Sequence, residues 1–303
     1  MKVLITGGTG FVGRVIVRQL LESGDEVIVL TRNVAKAIMN LGKDCRYVQW
    51  NSTEVPPELD PALEVDGVIN LMGEGIAEKR WSEEQKKKIY GSRIHGTGNL
   101  IKGLSTLQRR PSVFVSTSAV GIYGNRSDEE ISEASPVGSD YLATVCKDWE
   151  KAAQGAAELG CRLAVIRVGV VLGKGGGALH KMLPIFKLGV GGKVGSGEQF
   201  MSWIHIEDLA AMYIEALKNP KITGVYNGTS LYPVTNLEFT KTLGKTIKRP
   251  TFAPAPAFAL KAVFGEMSAV LLEGQKVIPK MFKETDFRYR YPTLELALRD
   301  AAL

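Results

Sequence analysis

Only three cysteines occur in 303 residues, Cys45, Cys146 and Cys161. Their count is odd and no CxxC pair exists, which argues against a disulfide framework or a zinc knuckle and makes a reducing cytoplasm the expected compartment. Histidine is as scarce, three residues at no metal-ligand spacing, so no metal is expected. Long apolar runs are missing too. Nowhere are 18 consecutive residues apolar, and glycines break KVLITGGTGFVG at the start too early for a signal sequence, so neither a targeting segment nor a membrane partner is expected. Acidic residues are in the minority, 32 against 38 Lys and Arg, and the net charge of +6 favours an anionic ligand. That charge is modest for a nucleic-acid binder. The densest basic stretch, EKRWSEEQKKKIYGSR at 78–93, is interrupted by three carboxylates and reads as a solvated helix. No nucleic-acid partner is expected, and the oligomeric state stays open.

What is present is an alternation. At 45% hydrophobic the chain can bury a large core, and short β-rich runs at 2–6, 26–31, 46–50, 67–71, 112–117 and 162–168 take turns with helix-period segments. FVGRVIVRQLLESG reads as a helix ending at Gly24, and a long helix follows an N-cap at Ser82. The pattern predicts an α/β fold, a Rossmann-like doubly wound parallel sheet with a small C-terminal substrate lobe. Residues 1–170 are the expected nucleotide-binding domain, a strand near 224–228 is expected to rejoin its sheet, and 171–303 forms mostly the lobe. Glycine-rich GKGGGAL and GVGGKVGSGEQ, then proline-rich RPTFAPAPAF, mark the change of texture.

ITGGTGFVG sets Gly7, Gly10 and Gly13 between an opening strand and a helix. Small residues there permit a tight turn and let helix N-terminal amides point at a pyrophosphate. The end of the second strand chooses the dinucleotide. A carboxylate there would hold the ribose hydroxyls of NAD, but VIVLTRN offers Thr31 and Arg32, and a guanidinium grips a 2′-phosphate. The expected cofactor is NADP(H).

At GGTGFVG, NLMGEGI, VSTSAVGIYG and WIHIEDLA the chain resembles an extended, epimerase-type short-chain dehydrogenase/reductase. With GEGIAEKRWSEEQKKKIYGSRIHGT, GGALHKMLPIFKLGVGGKVGSGEQFMSWIHIEDL and LLEGQKVIPKMF it is similar, over nearly its whole length, to an atypical branch of mostly unknown substrate. That branch ends in a C-terminal domain of unknown function, here at about 250–298. The resemblance implies cofactor contacts at Gly7, Thr9, Gly10, Phe11, Val12 and Gly13, at Leu71, Met72 and Gly73 after the fourth strand, and at Asn51. It also implies a substrate-facing hydroxyl, Ser118 with Ser116 as the alternative, and a ribose-binding Lys147.

The family's proton donor is a Tyr four residues before that Lys, and position 143 is Ala. Tyr123, a water near Lys147 and a group on the substrate are the remaining proton sources. Arg93 stands where ordinary relatives carry an Asn, and a guanidinium cannot accept a proton. Arg80, Trp81, Arg93, Arg167 and Lys193 are candidate anion ligands in the cleft, and Trp203 a stacking face. Ser116 and Arg167 also count among the expected cofactor contacts, and Ser118, Lys147 and Tyr123 are the candidate catalytic residues. The expected activity is that of an NADP(H)-dependent oxidoreductase or epimerase-like enzyme on a small anionic or polyhydroxylated substrate. The alternative is a non-catalytic NADPH-binding sensor or regulatory protein.

Overall fold

A computed structural model describes residues 1–303. Its centre is a seven-stranded sheet with β1 at Lys2–Thr6, β2 at Glu26–Thr31, β3 at Arg46–Gln49, β4 at Gly67–Asn70 and β5 at Val113–Ala119, joined by strands Arg162–Val168 and Gly224–Gly228. The order runs β3, β2, β1, β4, β5, Arg162–Val168, Gly224–Gly228, and every pair is parallel. The sheet is Rossmann-like. Its strands are near-continuous apolar runs because helices cover both faces. Helices α1 (Phe11–Glu22) and α6 (Ile206–Lys218) lie on one face, where Ile16, Leu20, Leu209 and Tyr213 join Val3, Ile5 and Val115 in one core. On the other, α3 (Glu83–Ser105) and α4 (Tyr141–Glu158) set Leu100, Leu104, Ala153 and Ala156 against Leu4, Val68 and Phe114. Strand order reverses between β1 and β4, so a crevice opens at their C-terminal ends.

Local chemistry fixes the helix starts. Ser82 accepts from the Gln85 amide at the head of α3, with Glu83 and Glu84 in the first turn and Lys102 in the last, each on the favourable side of the helix dipole. Asp140 does the same for α4 through the Ala143 amide, so α4 begins at Tyr141.

A smaller lobe is built from α5 (Gly177–Lys187), α7 (Asn236–Ile247), α8 (Ala257–Phe264) and the C-terminal helix Leu294–Ala302. Leu172, Phe186, Trp203, Phe239 and Leu298 form its core. Two buried polar residues tie it to α6. Asp208 accepts from the amides of Arg290 and Tyr291 at 2.7 and 3.0 Å, while the His205 ring lies 3.7 Å from that of Tyr291 and 3.3 Å from the Asp300 carboxylate.

Candidate dinucleotide and substrate site

The loop after β1 is shaped by what its glycines leave out. Gly7 takes a positive φ of 67°, and its carbonyl accepts from Gly10 N at 2.9 Å. A Cβ on Gly13 would stand 2.2 Å from Gly7 O and 2.7 Å from Gly8 Cα, so only glycine lets α1 start this close to the strand. No side chain caps α1 and no acid sits in its first turn. Its free amides form an anion site at the mouth of the crevice. Phe11, the first helical residue, is covered from the other side by the GKGGG turn, where a Cβ on Gly176 would lie 2.3 Å from its ring. From α5, Lys181 donates to the Ala77 carbonyl oxygen at 2.5 Å, which draws the segment after β4 over the same crevice.

At the end of β2, Thr31 is half-buried and bonded within its own turn, and the Asn33 side chain caps α2 (Val34–Leu41). Arg32 is exposed and forms no ion pair, so its donors are free for a phosphate. Asn51 is exposed and accepts from Gln49 Nε2 at 2.7 Å. After β4, Leu71 and Met72 are partly or wholly buried and Gly73 is open. Their exit is held by Asn70, which accepts from Thr6 Oγ1 at 2.7 Å and donates to Thr97 Oγ1 at 2.9 Å.

Ser116 and Ser118 share the face of β5 that looks at α4 and are 1% and 0% exposed. The Ser118 hydroxyl has no oxygen or nitrogen partner, and the Cys146 thiol is the polar group at hand. A buried orphan hydroxyl costs about 1–3 kcal/mol, a price met when a ligand oxygen reaches it. Beside it lies the thiol of Cys146, pushed up to about 11 by burial, with the Arg93 charge acting in the opposite direction. Arg93 is pressed between two surfaces. A Cβ on Gly73 would be 2.9 Å from its Cζ, and the Trp149 ring lies 5.1 Å away on cation–π terms. One guanidinium nitrogen donates to Ile89 O at 3.1 Å, and no carboxylate pairs with it. Burial therefore lowers the Arg93 pKa from its ordinary value. An unpaired guanidinium and an unpartnered hydroxyl that share Cys146 as a neighbour form an arrangement that a small anion would complete.

Ala143 is 1% exposed and adds no polar group, while Lys147, one turn on, is exposed. Tyr141 points elsewhere: its hydroxyl donates to Lys86 O at 3.0 Å and its ring meets Trp81 edge-on at 5.2 Å. Arg80 packs on Gly265 of the smaller lobe, where Lys86 pairs with Glu266 at 2.5 Å.

Four expected site residues are placed away from the cleft. Tyr123 is 0% exposed; its hydroxyl donates to Asn227 Oδ1 and accepts from Arg167, both at 2.8 Å. Arg167 itself is buried in a two-pronged pair with Glu150, at 2.8 Å on each prong, which cancels the charge expected to meet an anion. Trp203 is 0% exposed in the core of the smaller lobe, its indole donating to Tyr232 O at 3.0 Å. Lys193 spends its ammonium on Ser196 O at 3.0 Å in its own loop. Sequence reasoning missed Trp149, Cys146 and Glu150. A signal existed for the last, because a carboxylate on the small-residue stripe of Ala143, Cys146 and Ala153 demands a buried cation.

Residues 3–227 match the NAD dependent epimerase/dehydratase family, and residues 255–301 match a domain of unknown function, DUF1731. The chain belongs to the NAD dependent epimerase/dehydratase family. Within it, a chloroplastic homologue of epimerase family protein SDR39U1 from Arabidopsis thaliana is 44% identical over 99% of this chain and 86% of its own length. Human epimerase family protein SDR39U1, whose crystal structure was solved with NADPH, superposes with a TM-score of 0.89 at 36% identity, covering 100% of this chain and 99% of that one. A UDP-glucuronic acid 4-epimerase from Bacillus cereus shares the fold, with a TM-score of 0.77 at 17% identity over 100% of this chain and 98% of its own.

Proposed function

We propose that this epimerase-family chain binds NADP(H) and acts as an oxidoreductase or epimerase-type enzyme of the cytoplasm on a small anionic substrate. The observation that carries the reading is the unpaired Arg93 guanidinium and the buried Ser118 hydroxyl, both neighbours of the Cys146 thiol, beneath a crevice whose helix amides are bare. The human relative solved with NADPH supports the cofactor, and Arg32 supports the phosphorylated form. When bound, the nicotinamide supplies reversible hydride exchange with a substrate carbon.

The protein's own contribution follows from its side chains. Free α1 amides and Gly7 hold the pyrophosphate, and Arg32 holds the 2′-phosphate. Lys147 reaches ribose hydroxyls with an ammonium that nothing in the chain engages. Ser118 donates to, and orients, the reacting oxygen. Arg93 fixes a carboxylate or phosphate of the substrate so that this oxygen meets Ser118. Tyr123, with both of its hydrogen-bonding roles taken, leaves the proton to water at Lys147 or to the substrate.

A sensor without catalysis is the second reading, favoured by the apolar Ala143 in place of a phenol. Following the fluorescence of bound NADPH against carbonyl compounds with and without a carboxylate or phosphate separates the two. Turnover confined to the anionic compounds and abolished by Ser118→Ala is expected; tight NADPH that none of them oxidises supports the sensor.

A further inference from the structure

The positive charge of the chain is not spread evenly. Residues 169–197 and 239–265 contain nine Lys and Arg and no Asp or Glu, so the remainder of a chain of net charge +6 is net acidic. The two segments lie side by side: Ala255 N donates to Lys193 O at 2.8 Å, and Gly195 N donates back to Ala255 O at 2.9 Å. Lys187, Lys245, Lys248, Arg249 and Lys261 are exposed on them. Unlike Lys181, which has Glu78 at 3.6 Å, none of the five forms an ion pair.

The same surface is apolar. Leu188 is 79% exposed, Phe252 75%, Phe258 77% and Val263 62%. Helix α8, AFALKAVF, buries none of its eight residues although it carries a single charge. An amphipathic helix of a folded protein turns its apolar side to a core, so side chains of this kind left in water mark a missing partner.

From this juxtaposition we infer that the segments 185–190 and 245–263 form a docking surface for an anionic lipid bilayer. Lysine and arginine meet the headgroup phosphates, each contributing on the order of 1 kcal/mol at the surface, and the phenylalanines and aliphatic side chains enter the headgroup boundary. A two-fold pairing of this face with a second copy does not fit, because the two faces carry the same sign. A nucleic acid strand fits less well: Phe252 and Phe258 could stack on bases, but Ile185, Leu188, Val190 and Val263, all exposed on the same face, would stay in water beside a phosphate backbone. No helix of the chain is long and apolar enough to cross a membrane, so the attachment is to the surface, against the expectation of no membrane partner drawn from the sequence. Gly265, at the end of α8, abuts Arg80, which sets the cleft beside the docked face.

Flotation with vesicles of phosphatidylcholine and phosphatidylglycerol in equal parts tests this. The full chain should float with them, about ten-fold less with phosphatidylcholine alone, and less as salt rises. Phe252→Ser with Phe258→Ser should lower flotation by roughly ten-fold, with unchanged melting and NADPH binding showing that the fold is intact; Lys245→Glu with Arg249→Glu should lower it as well. The inference is overturned if the mixed vesicles do not carry the protein, if the phenylalanine pair makes no difference, or if single-stranded RNA retains the protein while vesicles do not.

Discussion

The Arg93 guanidinium faces the Trp149 ring at 5.1 Å with no carboxylate to neutralise it. Natural cores rarely keep a charge in that state for stability, because desolvation is then uncompensated. Arg93→Met should therefore leave the melting temperature unchanged or raise it by a few degrees. In the native chain, millimolar phosphate or a small carboxylate should raise the melting temperature, and Arg93→Met should abolish that rise. An equal rise in both would remove Arg93 from the anion site.

The pair of Arg167 and Glu150 carries the opposite expectation. Both are buried and satisfied, so Glu150→Gln strands a cation and should cost about 3–5 kcal/mol in urea unfolding. Replacing both, Glu150→Gln with Arg167→Met, should be milder than the single change. Additive losses would mean that the two do not act as a pair.

Gly13 has no room for a side chain. Gly13→Ala should cost on the order of 3 kcal/mol and remove measurable NADPH binding, because the new Cβ meets the Gly7 carbonyl. Retained binding with intact stability would show that the loop is not the phosphate cradle.

Burial depresses the pKa of His205 below 6.5, with Asp300 opposing. The unfolded chain then binds the proton more readily, so His205 contributes its full stability above about 6.5, and that contribution is lost as pH falls from there through the depressed folded value. Unfolding free energies should fall as pH drops below about 6.5, with a slope no steeper than about 1.4 kcal/mol per pH unit, and His205→Gln should flatten it. An unaltered slope in the variant assigns the effect to other groups.

Parts of the molecule whose requirements are local were legible in the sequence. The strands expected at 2–6, 26–31 and 162–168 have those bounds, since each is an apolar run closed by turn residues. The strand expected at 112–117 instead runs from Val113 to Ala119, because pairing with Arg162–Val168 extends to Ala119 and Val168. The Gly13 contact could be anticipated because a glycine's need is set by backbone within a few residues. Direction at a strand end could not. Arg167 and Tyr123 both sit where a cleft residue would, yet their side chains turn to Glu150 and Asn227, partners 17 and 104 residues away. Trp203 is committed to a core built by α5 before it and by α7 and the C-terminal helix after it.

Parallel fluorescence titrations of the native chain and Arg32→Asp with NADPH and NADH decide whether Arg32 holds the 2′-phosphate of the dinucleotide. Loss of a charge-assisted phosphate contact should weaken NADPH by roughly 10- to 100-fold and NADH by much less. Equal losses for both cofactors would contradict it.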